Sequence, residues 1–188
     1  MPEAPIPSDE PKRLQSLHAA AILNTGPDTF LEETVEAVLN AMKCPIALVS
    51  LVDEGRQWFK ARRGLEVSGT DRACAFCGYT ILSNEPLLVT DAREDERFVD
   101  NPLVRGEPPV IAYAGAPIIL KDGSRLGTVC AIDTAPRAWT AREVIDLQEI
   151  ADLASRYIEL RRTLLSKNRQ RYLELAIFGE HELHLMRA

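Results

Sequence analysis

Apolar positions along the chain follow two rhythms. Leu14, Leu17 and Ala21 recur at helical spacing and predict a short helix over 12–23. Asn24, Thr25, Gly26 and Pro27 close it, because glycine tolerates positive φ and proline cannot continue a helix. Leu31, Val35, Val38, Leu39 and Met42 form one stripe of a second helix. Thr29 and Glu32 mark its start with the spacing of a capping box. Residues 45–52, PIALVSLV, change the rhythm: both alternating sets are mainly apolar, as in a strand covered on both faces. Asp53, Glu54 and Gly55 supply a turn, and 56–62, RQWFKAR, return as a more polar strand suited to a sheet edge.

The stretch 74–83, CAFCGYTILS, reads as a short helix with Phe76, Thr80 and Ile81 on one face. Residues 87–90 form a short strand, and Asp91 with Glu94 opens a short acidic helix, DAREDERF. A loop with Pro102, Pro108 and Pro109 follows. Residues 110–119 and 125–132 are two more strands joined through Lys121-Asp122-Gly123-Ser124. Asp-Gly between apolar runs signals a hairpin with positive φ at both central positions, so these strands are antiparallel neighbours. A long helix runs from about 140 to 176. Thr140 and Glu143 form its capping box, and Trp139 with Val144 fits a hydrophobic staple. Helices at both ends of an antiparallel sheet make an α+β sandwich. Five strands are counted, and a sixth is left to the loops.

Composition narrows the function classes. The chain is 46% hydrophobic and 27% charged, ordinary for a globular protein. At 188 residues it suits one domain with extensions: a disordered lead over 1–11, a domain over 12–155 and a C-terminal helix over 156–188. No apolar run reaches membrane-spanning length, and the acidic, proline-rich N-terminus lacks the basic start and apolar core of a signal peptide. A cytoplasmic location is the expectation. The net charge of −6 disfavours nucleic acid and anionic membrane as partners. Arg156, Arg161, Arg162, Lys167, Arg169 and Arg171 make 155–172 locally basic, either as the solvated face of a helix or as a docking surface for an acidic partner.

Four segments together resemble the bacterial GAF family: PIALVSLVDEGRQWFKARRGL at 45–65, FCGYTI at 76–81, DAREDERFVDNPLV at 91–104, and YAGAPI with GTVCAID within 113–133. The leading segment LQSLHAAAILNTGPDTF is similar to this family's entry, and the resemblance spans about 14–160. It implies a six-stranded antiparallel sheet flanked by helices on both faces, with a long C-terminal helix. It implies a pocket between the sheet and the short helices after residues 73 and 90, and a regulatory role upstream of an output domain such as a histidine kinase or diguanylate cyclase. The sequence carries no such module. Either the output domain is separated from it or the chain works alone.

The family layout places Phe59, Phe76, Cys77, Thr80, Asp91, Phe98, Tyr113 and Thr128 around the pocket as ligand-binding candidates, with simple core filling as the alternative for each. The ligand is an unidentified small molecule. The sequence carries neither the Asn-Lys-X-Asp-Glu set of cyclic-nucleotide-binding members nor the Cys-His of bilin-binding ones, since Gly78 follows Cys77 and Ala131 follows Cys130. Cys74-Ala75-Phe76-Cys77 has the spacing of half a zinc site or a redox pair, but no second C-x-x-C completes it, so no metal is expected. Cys44 and Cys130 read as buried thiols. His181-Glu182-Leu183-His184 misses the H-E-x-x-H spacing of a zinc protease by one residue, so no catalytic residue is assigned there. Free methionine sulfoxide reductases, the enzymatic branch of the superfamily, use cysteines around the same pocket and form the alternative to a sensor. An empty dimerisation module is a third.

Along the last helix Ala151, Ala154, Ile158, Arg161, Leu165, Asn168, Tyr172 and Leu175 step alternately by three and four, which makes a heptad seam. Ala154, Ile158, Arg161, Leu165, Asn168 and Tyr172 are therefore the dimerisation candidates, and a parallel homodimer the expectation. The alternative is a single helix folded back on its own sheet. Both can hold, the first half packing and the second half pairing.

Overall fold

The computed structural model describes residues 3–185, and side chains to Arg171. The elements run α1 (Glu10–Ala19), α2 (Thr29–Met42), β1 (Ile46–Val52), β2 (Arg56–Arg63), β3 (Gly69–Asp71), α3 (Phe76–Thr80), β4 (Leu87–Val89), β5 (Ala112–Ile119), β6 (Arg125–Asp133) and α4 (Ala141–Leu185), with 3-10 turns at Arg72–Cys74 and Pro102–Arg105. The strands form one six-stranded sheet in the order β3-β2-β1-β6-β5-β4, and all five pairings are antiparallel.

β1 sits at the centre, every residue of it buried, because its two alternating sets feed two different cores. Ala47, Val49 and Leu51 face a core shared with Ala114, Ala116, Ile118, Val129 and Ala131 and roofed by α1, α2 and α4. Ile46, Leu48 and Val52 face a second core with Phe59, Tyr113, Cys130 and Ile132, covered by α3 and the loops around it. The pairing of β1 with β2 skips Lys60, since Val49 lies opposite Ala61 and Ser50 opposite Phe59. This β-bulge reverses the alternation of β2. Phe59 faces the second core, while both Trp58 and Ala61 join the first. The bulged Lys60 is held by the Thr25 hydroxyl at 2.7 Å and the Gly26 carbonyl at 2.5 Å.

Helix α4 starts on the predicted capping box: Thr140 N–H donates to Glu143 at 2.8 Å and Glu143 N–H donates to the Thr140 hydroxyl at 3.3 Å. Arg137 clamps this start to its neighbours through Asp133 and Glu143 and through the carbonyls of Met42 and Lys43, with its guanidinium 4.7 Å over the Trp139 ring. Leu147, Ala151, Ala154 and Ile158 are at most 1% exposed against the sheet. Tyr157 stacks on Phe30 at 4.4 Å and donates to Asp28 at 2.8 Å. Beyond that point Leu160, Leu164, Leu165 and Asn168 are exposed.

Several expectations change. The first helix runs over Glu10–Ala19 rather than 12–23, and its first residue is buried by ion pairing to Arg13 and Arg72 at 2.7 and 2.5 Å. Asp28, not Thr29, caps α2 by accepting from Leu31 N–H at 3.3 Å. β2 is not the edge strand, because β3 pairs with Arg56, Gln57 and Trp58 and is the sixth strand. The acidic helix over DAREDERF is absent. Asp91 and Asp95 instead accept from the backbone N–H two residues on and from the guanidiniums of Arg93 and Arg97, and these local bonds replace a helical turn. At the β5–β6 turn only Gly123 has positive φ, so the connection is a longer loop with a register shift at Ile118/Ile119.

Candidate cavity on the second core

A cavity of about 250 Å³ opens between the sheet, α3 and two loops, 65–70 and 103–110. Its position follows from the bulge and the sheet order. The bulge aims Phe59 at this side, and β3 holds the first loop against β2. The second loop is fixed by Asn101, fully buried, whose side chain accepts from Leu103 N–H at 2.9 Å and donates to the Cys74 carbonyl at 3.0 Å.

The walls are apolar: Leu48, Phe59, Leu65, Phe76, Val110 and Ile132 are prominent. Phe76 is braced from behind by Phe98, stacked at 4.0 Å, which is met edge-on by Tyr79 at 5.1 Å. Arg97 lies 5.1 Å over the Phe98 ring, sealing the stack from solvent.

The floor is polar. The Cys77 sulfur accepts from the Thr128 hydroxyl at 2.9 Å and from the Tyr113 phenol at 3.4 Å, while Thr80 and Tyr113 share a bond of 2.9 Å. Burial pushes the Cys77 thiol up, but hydrogen bonds from Cys130, Thr128 and Tyr113 outweigh it and bring it down to about 7. Cys130, donating to Cys77 and buried, is held protonated well above the ordinary thiol range. The phenol reaches this cluster by folding across Gly115, where a Cβ would collide with the Tyr113 hydroxyl. Ser50, paired with Thr128 across the β1–β6 ladder, adds a further buried hydroxyl beside the Cys77 sulfur.

Of the residues expected around a pocket, Phe59, Phe76, Cys77 and Tyr113 line the cavity. Thr80 and Thr128 stand behind them, bonded to Tyr113 and Cys77, and Phe98 backs Phe76. Asp91 lies apart from the cavity, its carboxylate taken up by Arg93 at 2.6 Å. The wall expected from a helix after residue 90 is supplied by the 103–110 loop. Sequence reasoning passed over Gln57, Thr70, Glu107 and Cys130, all of which line the space. The two cysteines of C-x-x-C have different surroundings: Cys74 donates to the Asp71 carbonyl at 3.2 Å, whereas Cys77 faces the cavity.

Ala154 and Ile158 of the expected dimer seam are buried in the domain's own core, and Arg161 donates to the Ala21 carbonyl at 3.3 Å. Leu165 and Asn168 are exposed, and the side chain of Tyr172 lies outside the described residues, as do those of His181 and His184. Arg162, read as part of a basic face, is tied to Asp122 at 2.6 Å and Glu159 at 3.0 Å. Among the described residues no helix is long and apolar enough to cross a membrane.

Comparison with known proteins adds four findings. A family model described as GAF domain matches residues 26–158. A cyclic di-GMP phosphodiesterase of Pseudomonas aeruginosa is 41% identical over 169 residues, which cover 89% of this chain and 28% of that protein, so the chain spans under a third of its relative's length. Among solved structures, the GAF domain of a phosphoenolpyruvate-protein phosphotransferase from Coxiella burnetii superposes with a TM-score of 0.61 at 18% identity, covering 82% of this chain and 96% of that one. The free methionine-R-sulfoxide reductase of Neisseria meningitidis, solved with its substrate, superposes with a TM-score of 0.60 at 15% identity, covering 81% and 91%.

Proposed function

Because the chain belongs to the GAF domain family, we propose that it is the small-molecule-sensing module of a bacterial signal-transduction protein, relaying the state of its cavity through paired C-terminal helices to an output domain. The cavity carries this reading: an apolar hollow with a few polar groups is what a small-ligand site requires. The relative with a cyclic di-GMP phosphodiesterase name makes such an activity a candidate output, alongside a histidine kinase or diguanylate cyclase.

The relay follows from α4. Its first half is buried against the same sheet whose other face forms the cavity floor. Its exposed Leu153, Leu160 and Leu164 follow steps of seven and four, a seam distinct from the buried Ala154 and Ile158. A ligand that prefers one packing of Tyr113 and α3 would bias β5 and β6, and through them the helix. Native mass spectrometry of the protein purified from its host tests the reading. A retained small molecule is expected, lost when Leu103→Trp fills the cavity from its rim. An adduct-free wild-type spectrum overturns it.

A second reading rests on Cys77 and Cys130 lining the cavity together, with hydroxyls bonded to the Cys77 sulfur. In that reading the pair reduces a sulfoxide to a sulfide, releasing water and closing a disulfide that an external dithiol reopens. Turnover of free methionine sulfoxide by the wild type, abolished in Cys77→Ser and Cys130→Ser, would replace the sensor reading.

A further inference from the structure

The polar side chains around the cavity are taken up by one another. At the floor, Thr128 and Tyr113 donate to the Cys77 sulfur, and Thr80 bonds to the Tyr113 phenol. Cys77 and Tyr113 are 1% exposed, Cys130 0% and Gln57 4%. The Gln57 amide nitrogen donates to the Thr70 hydroxyl at 3.2 Å, and its oxygen is covered by protein. These residues close the space while offering a guest almost no polar surface.

The surface that does face the hollow is mostly carbon. Phe59, Phe76 and Ile132 wall its depth, while half-buried Leu65 and Leu103 and exposed Val67 make an apolar mouth. Glu107 is exposed at the rim, and among the described residues lining the cavity there is no Lys or Arg. An anion would meet a carboxylate at the entrance and no cation inside. A hydroxyl carried into the depth would exchange water for carbon, which is unfavourable without a hydrogen-bond partner. Apolar hollows hold water poorly and take hydrocarbon guests instead.

Building on the sensing reading, we infer that the cavity takes an uncharged, hydrocarbon-like molecule, held by burial of its carbon surface against these walls and by no side-chain hydrogen bond. Three probes of similar shape test this by two-dimensional NMR of the full chain, labelled at the Ile, Leu and Val methyls. They are p-xylene, hydroquinone kept reduced under nitrogen, which carries a hydroxyl at each end, and the anion p-toluate. p-Xylene is expected to shift the methyls of Leu48, Val110 and Ile132 and to leave those of Ile118 and Val129, in the other core, unmoved. Hydroquinone buries one hydroxyl whichever way it enters, so it is expected to bind at least about tenfold more weakly. p-Toluate is expected to cause no shifts, and Leu103→Trp is expected to abolish those caused by p-xylene.

Hydroquinone or p-toluate binding as tightly as p-xylene overturns the apolar assignment and leaves the sensing cavity standing. So does p-xylene binding that moves methyls elsewhere or survives Leu103→Trp. If no probe binds, this proposal fails, and native mass spectrometry of the host-purified protein then separates the two readings. A retained molecule leaves the sensing reading standing, and an adduct-free spectrum overturns both.

Discussion

Replacing Glu10 by Gln isolates the interaction that docks α1 onto the sheet. The Glu10 carboxylate accepts from Arg13 Nε and Nη2, both at 2.7 Å, and from Arg72 Nη1 at 2.5 Å. Arg13 also donates to the Val52 carbonyl at 2.6 Å, and Arg72 to those of Asp53 and Glu54 at 3.1 and 3.3 Å. The side chains are 0% exposed for Arg13, 12% for Glu10 and 10% for Arg72. One carboxylate thus serves two guanidiniums out of water. Removing its charge leaves two buried cations facing a neutral amide, and breaking a buried pair in this way costs about 3–5 kcal/mol. For a domain of this size that is a fall in Tm of roughly 6–20 °C. Urea denaturation followed by circular dichroism is the assay.

The pH dependence gives a second check on the same variant. Burial alone would raise the Glu10 carboxyl, but hydrogen bonds from Arg13 and Arg72 lower it from the ordinary 4.5 to about 2. Its stabilisation is therefore fully present above the unfolded value and is lost as pH falls from about 4.5 towards 2. The difference between wild type and Glu10→Gln is expected to be flat above pH 5 and to shrink below it. A loss under about 1 kcal/mol, the range of exposed ion pairs, would refute the buried-network argument. So would a difference that stays constant down to pH 2.

Three further outcomes follow from the same structure. Gly115→Ala forces the Tyr113 phenol off the Cys77 cluster and is expected to destabilise the fold by about 1–3 kcal/mol in urea titration, whereas an unchanged midpoint would mean the phenol is free to move. Brief treatment of the native protein with iodoacetamide is expected to label Cys74, the only half-exposed thiol among the described residues, with Cys44, Cys77 and Cys130 reacting after denaturation. Peptide mass mapping that finds Cys130 labelled as fast as Cys74 contradicts this. Leu160→Arg with Leu164→Arg is expected to convert a full-length dimer to a monomer by light scattering without changing the circular dichroism spectrum, and a dimer that persists moves the interface off this stripe.

Much of the frame was legible because its signals are local. The doubly apolar β1, the β5–β6 pairing and the Thr140 capping box each rest on residues close together in sequence, and the GAF resemblance supplied the remaining topology. β3 was not legible, since Gly69–Asp71 has no apolar pattern and becomes a strand only because β2 offers it an edge. The segment 91–98 misled because its two Asp-x-Arg pairs satisfy the backbone locally, which periodicity does not register. Gln57 was passed over for a related reason. On a strand taken for an edge, a glutamine is expected to face water, and only the bulge at Lys60 together with the cover from β3 places it inside.

That bulge makes the hollow depend on the register between β1 and β2 as well as on the kinds of residue that line it. Between Asp53–Gly55 and Lys60, β2 presents one face to the cavity, and past Lys60 it presents the other. Deleting Lys60 would set Phe59 next to Ala61, opposite Ser50 and Val49 as they are now, so the alternation would become regular and both stretches of β2 would keep their faces. Taking Lys60 into the ladder without a bulge would instead turn either Gln57 and Phe59 towards the helical layer or Ala61 away from it. What keeps the lining in place is therefore the unpaired position at Lys60, which the Thr25 hydroxyl and the Gly26 carbonyl hold out of the ladder.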